Sequence, residues 1–96
     1  MRYFIIRHKP TGFTLPFVGR GATHMEPQDP TVWPPRLFTG IGAAKTALTW
    51  WLKGRTSVTY TRGDGWEVEA DEHWHTEPVE DRRAEDMEVV LVHLIR

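Results

Sequence analysis

Two histidines separated by one residue, His73 and His75, are the first candidates for chemistry in this sequence of 96 residues. Side chains at positions i and i+2 of an extended segment lie on the same side, so both imidazoles could bind one divalent metal ion, with Asp71 or Glu77 as a third ligand. The chain has no cysteine, and no second histidine motif completes the set. A small metal-dependent enzyme that uses these histidines is one alternative, but we favour two solvated histidines in an acidic loop. We therefore expect no metal and no other cofactor.

Nucleophilic catalysis has little support in the sequence. Hydroxyl groups and imidazoles are present, but none lies in a G-x-S-x-G or comparable motif. The groups concerned are Thr11, Thr14, Thr23, Ser57, His8 and His24. The glycine pairs at 19–21 and 40–42 also lack the residues that complete a phosphate-binding loop, so they indicate turns and a helix start. We do not predict an enzyme.

Positive and negative charges are concentrated in different halves of the chain. Residues 1–62 contain nine Lys or Arg and two Asp or Glu, a net charge of +7, whereas residues 63–96 contain three and eleven, a net charge of −8. One interpretation is that the two halves neutralise each other in the folded protein. The other is that the molecule has a basic side that attracts an anionic or acidic partner.

The basic half also contains the residue types that dominate protein interfaces. Binding energy usually concentrates in a few Trp, Tyr and Arg residues. Trp33, Arg36, Trp50 and Arg55 are therefore the candidate binding residues, and a protein is the expected partner. A nucleic-acid-binding accessory protein is the alternative, although a pI of about 6.5 is low for a domain that binds phosphates.

A segment rich in glycine and proline, residues 19–35, shows no hydrophobic periodicity. Irregular segments of this length are uncommon in small domains unless they are functional, so the segment is a candidate binding loop. The alternative is a surface segment that Met25 and Trp33 hold in place.

One amphipathic helix is predicted between Thr39 and Gly54. Thr39 suits the N-cap, and Gly54 suits the position that follows a helix. Apolar residues recur at helical spacing and should form the buried face, whereas Trp50 points elsewhere. The predicted buried face consists of Ile41, Ala44, Leu48, Trp51 and Leu52.

Strands are predicted on both sides of this helix. Residues 2–8 form the first strand, and a weak edge strand follows at 13–18, where Pro16 cannot donate a backbone hydrogen bond. Residues 57–61 and 66–70 flank a Gly-Asp-Gly turn and should form a hairpin. The last strand, residues 87–95, is apolar on both faces, which predicts that it pairs with the first strand at the centre of the sheet.

The expected architecture is a single α+β domain over residues 1–96. It should contain a mostly antiparallel sheet of about five strands with one amphipathic helix packed on one face. The apolar run near the N-terminus is too short for a signal-peptide core or a membrane span. We therefore expect a soluble, cytoplasmic protein with no membrane contacts.

Several short motifs suggest a relationship. They are Tyr3-Phe4-Ile5-Ile6-Arg7, Pro10-Thr11-Gly12, Pro35-Arg36-Leu37-Phe38, Ala44, Ala47-Leu48, Trp51-Leu52, Gly54, Arg83 and Glu85-Asp86-Met87-Glu88-Val89. In these motifs the sequence resembles short, functionally uncharacterised proteins of tailed bacteriophages and prophages. The resemblance covers most of the chain and implies a phage or prophage origin, with a host or phage protein as partner and the host cytoplasm as location. By this analogy we expect a non-enzymatic binding module.

Overall fold

The computed structural model describes residues 1–19, 21–62 and 70–93 of the chain. These residues form an α+β fold, as predicted, in which one helix accompanies four strands. In chain order the elements are strand β1 (Arg2–His8), helix α1 (Ile41–Lys53), strand β2 (Arg55–Arg62), strand β3 (Ala70–Glu77), a 3-10 turn (Ala84–Asp86) and strand β4 (Met87–His93).

The strands form two separate antiparallel sheets. β1 pairs with β4, from Arg2 opposite His93 to His8 opposite Met87, so the predicted pairing of the first and last strands is confirmed. β2 pairs with β3 in a second sheet. The expectation of one sheet of about five strands is therefore wrong, because the described strands divide into two pairs.

The segment at 13–18 runs beside β1 but is not a regular strand. Leu15 donates a backbone hydrogen bond to the Ile6 carbonyl oxygen at 2.9 Å, and the other contacts are isolated bridges, one of which joins Pro16 and Pro35. Proline has no N–H, so a continuous ladder cannot pass through this position. The predicted edge strand is thus reduced to single bridges.

The hairpin of β2 and β3 is longer than the sequence indicates. Arg62 lies opposite Ala70, and the pairing continues to Arg55 opposite Glu77. The predicted turn at 63–65 and the arm residues 66–69 lie outside the described residues. The acidic stretch that we expected to be a loop instead contains β3, because its backbone groups pair with those of β2.

Helix α1 buries the predicted face. Ala44 and Trp51 are buried, and Leu48 and Leu52 pack against the core, while Trp50 is 48% exposed. Ile41 is an exception, since it is also 48% exposed. The helix is therefore in the predicted rotational phase, and only its first residue departs from it.

The helix ends differ in how well they were predicted. The N-cap is Gly40, in an extended conformation and without a side-chain hydrogen bond, so the assignment of Thr39 to this position is wrong. Gly54 follows Lys53 as predicted, with a φ of 129° that favours glycine. Its N–H donates to the Trp51 carbonyl oxygen at 3.1 Å and so closes the last turn.

The core lies between α1 and the sheet of β1 and β4. Its members come from five different parts of the chain: Ile6, Leu15, Phe38, Ala44, Trp51 and Met87. Within the described residues, β2 and β3 contact chiefly each other. The molecule is accordingly elongated, with principal extents of 55 × 33 × 25 Å. No helix within the described ranges has both the length and the apolar character needed to cross a membrane.

Candidate binding groove

An apolar groove lies on either side of Trp50 in the described part of the surface. It consists of two adjoining cavities of about 430 Å³ and 780 Å³, which share Ala22, Thr23 and Trp50. We call this feature the Trp50 groove. The first cavity is also lined by Ile6, Leu15, Pro16, Arg36, Phe38, Ala43, Thr46, Ala47 and Trp51, and the second by Gly21, His24, Thr56, Ser57 and Trp74.

Helix α1 supplies one wall of the groove through a second face of its surface. Ala43, Ala47 and Trp50 are spaced at i, i+4 and i+7, so they share one side of the helix. The adjacent side carries Ala44 and Trp51 into the core. Because two of these three residues are alanines, the large indole of Trp50 dominates this side of the helix.

Two hydrogen bonds hold the loop side of the groove against β2. The Thr56 N–H donates to Thr23 Oγ1 at 2.9 Å, and His24 Nε2 lies 2.8 Å from the Thr56 carbonyl oxygen. A carbonyl oxygen can only accept, so Nε2 is the donor in this hydrogen bond. The loop was predicted either to bind or to be held in place, and the structure shows it contacting the groove and fixed to its neighbours.

A buried arginine fixes the next part of the same loop. The Arg82 side chain is fully buried, and its guanidinium donates to Glu26 Oε1 from Nη2 at 2.9 Å and from Nε at 3.1 Å. It also donates to the Trp51 carbonyl oxygen at 2.8 Å. Trp51 Nε1 in turn donates to the Met25 carbonyl oxygen at 2.9 Å. The loop is therefore attached to the helix by the backbone of Met25 and by the side chain of Glu26.

The groove has a positive rim. Arg36 lies over the Phe38 ring at 4.7 Å from its centre, and Lys53 lies over the Trp50 ring at 4.5 Å. The described residues that line the two cavities include no carboxylate. Away from the groove, the ion pair of Arg7 with Glu88 joins the basic and acidic halves of the sequence.

The structure brings two of the four candidate binding residues together. Arg36 and Trp50 both line the first cavity. Arg55 adjoins the groove next to Thr56, with Nη2 3.8 Å from Glu26 Oε1. Trp33 lines neither cavity and is 42% exposed.

Trp33 belongs to a turn that begins at Asp29. The Trp33 N–H donates to the Asp29 carbonyl oxygen at 2.9 Å. The Asp29 carboxylate accepts hydrogen bonds from the Thr31 N–H at 2.9 Å and the Thr31 hydroxyl at 2.7 Å. These bonds favour the charged form and lower the pKa of Asp29, the backbone bond having the larger effect.

The two candidate metal ligands lie in β3 rather than in a loop. His75 is exposed, opposite Ser57 in the register, whereas the side chain of His73 is outside the described part of the structure. Among the described residues, no group of three or more His, Asp or Glu side chains is arranged to hold a metal ion. His24 and Ser57 both line the second cavity, but the Nε2 proton of His24 is directed to a backbone carbonyl.

Several groove residues were not singled out by the sequence. Ala22, Thr46 and Trp74 carry no motif that would predict a site. Trp74 did have one signal, since it is a large aromatic residue within an acidic and polar stretch, and it is 68% exposed.

Comparisons of the chain with protein-family models, with curated proteins and with solved structures found no match.

Proposed function

We propose that this protein is a non-enzymatic binding module whose Trp50 groove accepts an acidic segment of a partner protein. The partner would insert an apolar or aromatic side chain beside Trp50 and place its carboxylates near Arg36 and Lys53. The observation that carries the proposal is the half-exposed Trp50 in an apolar groove whose described rim is cationic and whose described lining contains no carboxylate.

The groove suits a side-chain anchor because its walls are held in place before binding. The Trp50 ring has Lys53 on one face, and the opposite wall is hydrogen-bonded to β2 through Thr23 and His24. Fewer side chains then lose freedom when a partner binds, which lowers the entropic cost of association. Tryptophan and arginine in a cleft are also the residue types that concentrate interface energy.

Nucleic acid is the second candidate ligand, because bases could stack on Trp50 and Trp74. A strand of nucleic acid needs a row of cations along its phosphates, however, and the described lining residues include one arginine, Arg36, and no lysine. The net charge of −1 also opposes binding to a polyanion. These features favour an acidic protein segment.

The resemblance to short phage and prophage proteins extends the proposal to a host or phage protein as the partner. This extension rests on the resemblance alone. The binding chemistry proposed for the groove does not depend on it.

The test begins with a random peptide library selected against the purified protein. We expect enriched peptides to combine acidic residues with an apolar or aromatic anchor. In titrations with an enriched peptide, Trp50→Ala and Arg36→Ala should each weaken binding by about 1–4 kcal/mol, because each removes a principal groove contact. The melting temperature should change little, since Trp50 is half exposed.

Matched controls are available outside the groove. Trp33→Ala removes an equally large exposed indole, and the double charge reversal Glu80→Lys with Asp81→Lys alters the acidic half, so neither should change binding much. The proposal fails if these variants abolish peptide binding while Trp50→Ala and Arg36→Ala bind normally. Salt-sensitive binding of an oligonucleotide that Trp50→Ala removes would favour the second candidate instead.

A further inference from the structure

We propose that the open edge of β4 pairs antiparallel with β4 of a second copy of this chain. The joined sheet would have the strand order β1–β4–β4–β1. No β4 residue lines the Trp50 groove, so this inference is independent of the proposed function.

The first argument is the apolar character of β4 at an edge that no described strand covers. Its residues, Met-Glu-Val-Val-Leu-Val-His, include five apolar side chains. The outer edge of β1 is occupied, because Phe38 and Leu15 bond to it. Within the described residues, β4 pairs with β1 alone. A hydrophobic edge strand with unpaired backbone groups is a template for pairing with another strand.

The second argument is the direction of the backbone groups. Phe4, Ile6 and His8 direct hydrogen bonds to the outer edge of β1, so the alternate residues bond to β4. In the register of this sheet, Val89 lies opposite Ile6 and Leu91 opposite Phe4. Their N–H and C=O groups therefore point to the open edge of β4, by the alternation of an antiparallel ladder.

The third argument is that the edge carries none of the usual protection against pairing. Natural edge strands often contain lysine, proline or a bulge that prevents contact with another strand. β4 has no lysine or proline, and its carboxylate at Glu88 is paired with Arg7 across the sheet. Leu91 is instead 44% exposed at this edge.

A second copy is the partner that this edge fits. An antiparallel two-fold pairing centred on Leu91 places Leu91 opposite its counterpart, Val90 opposite Val92, and Val89 opposite His93. This register brings apolar residues together and keeps both sets of outward-pointing backbone groups in bonding positions.

The oligomeric state of the whole chain tests the inference. Sedimentation velocity over a concentration series should show a species of twice the 11.2 kDa chain mass. Leu91→Lys places two like charges opposite each other and should raise the dissociation constant at least about tenfold. Val32→Lys is the matched control, since Val32 is 72% exposed and distant in sequence from β4. The dimer dissociation constant of this variant should equal that of the unmodified protein. A monomer at all concentrations, or a dimer that Leu91→Lys leaves intact, would overturn the inference.

A cross-link tests the register separately. The chain has no cysteine, so a single introduced thiol gives an unambiguous product. Directly opposed residues of a hydrogen-bonded pair have Cα atoms about 5.5 Å apart, within the range of a disulfide. Leu91→Cys should form a disulfide-linked dimer under mild oxidation, and Val32→Cys should not. Equal cross-linking of the two variants would contradict the proposed pairing.

Discussion

The guanidinium of Arg82 lies 4.3 Å from the centre of the Trp51 ring and donates a hydrogen bond to the carbonyl oxygen of the same residue. A single arginine thus covers the largest aromatic side chain of the core. It also supplies a hydrogen-bond donor for a backbone carbonyl in the last turn of α1. Its other donors bind Glu26, which belongs to the loop beside the groove. This contact joins the core, the helix end and the wall of the Trp50 groove.

Glu26→Gln should destabilise the protein by about 1.5–3 kcal/mol, because the charge that neutralises a fully buried guanidinium is removed. Adding Arg82→Met should recover much of the loss, since an apolar side chain needs no counter-charge. Urea unfolding of the two single variants and the double variant measures the coupling. Losses that simply add would show that the two side chains do not act as a pair.

The two adjacent tryptophans of α1 should differ sharply in their effect on stability. Trp51→Ala should cost about 3–5 kcal/mol, because Trp51 is 2% exposed and its removal leaves a cavity between helix and sheet. Trp50→Ala should cost less than about 1 kcal/mol, since its side chain is half exposed. Denaturant titrations compare the two, and equal losses would contradict the observed phase of the helix.

Gly54→Ala should destabilise by more than about 2 kcal/mol. The φ of 129° is unfavourable for alanine, and a Cβ at this position would lie 1.9 Å from the Glu77 carbonyl oxygen. Gly42→Ala is the control within the same helix, because nothing lies within 4 Å of its added Cβ. It should stabilise by about 0.5 kcal/mol. Thermal unfolding of both variants distinguishes strain at the helix end from a general effect of glycine replacement.

The carboxyl group of Asp29 should titrate below its ordinary pKa of 3.8, because the Thr31 N–H and hydroxyl bond to the charged form. A depressed pKa stabilises the folded state above the unfolded value, and this contribution is lost as the pH falls through the folded value below 3.8. An NMR titration of the carboxyl carbon measures the pKa. Thr31→Val removes the hydroxyl bond and should move the midpoint upward, and an unchanged midpoint would exclude that bond as a cause.

Replacing both His73 and His75 with alanine should leave stability unchanged near neutral pH, since we interpret both residues as solvated. Calorimetric titration with Zn²⁺, Ni²⁺ and Mn²⁺ checks the alternative of a metal-dependent enzyme. A stoichiometric micromolar site in the natural protein that disappears in the double variant would contradict our interpretation.

Local patterns in the sequence predicted the elements that form the core. The helical spacing of Ala44, Leu48 and Trp51 was sufficient to define both α1 and its buried face. The apolar first and last strands were likewise sufficient to predict their pairing. These features follow from periodicity, because the side of a helix or strand on which a residue lies depends only on its spacing from its neighbours.

Tertiary structure decided the features that depend on partners distant in sequence. The acidic residues around Trp74 form a strand because β2 supplies their hydrogen bonds, and their composition alone predicts a loop. Arg82 is buried because Glu26, 56 residues away, neutralises it. The Trp50 groove likewise combines a loop, a helix face and a hairpin. Such contacts have no local period, so the sequence supplied their residues and only the folded chain determined which of them meet.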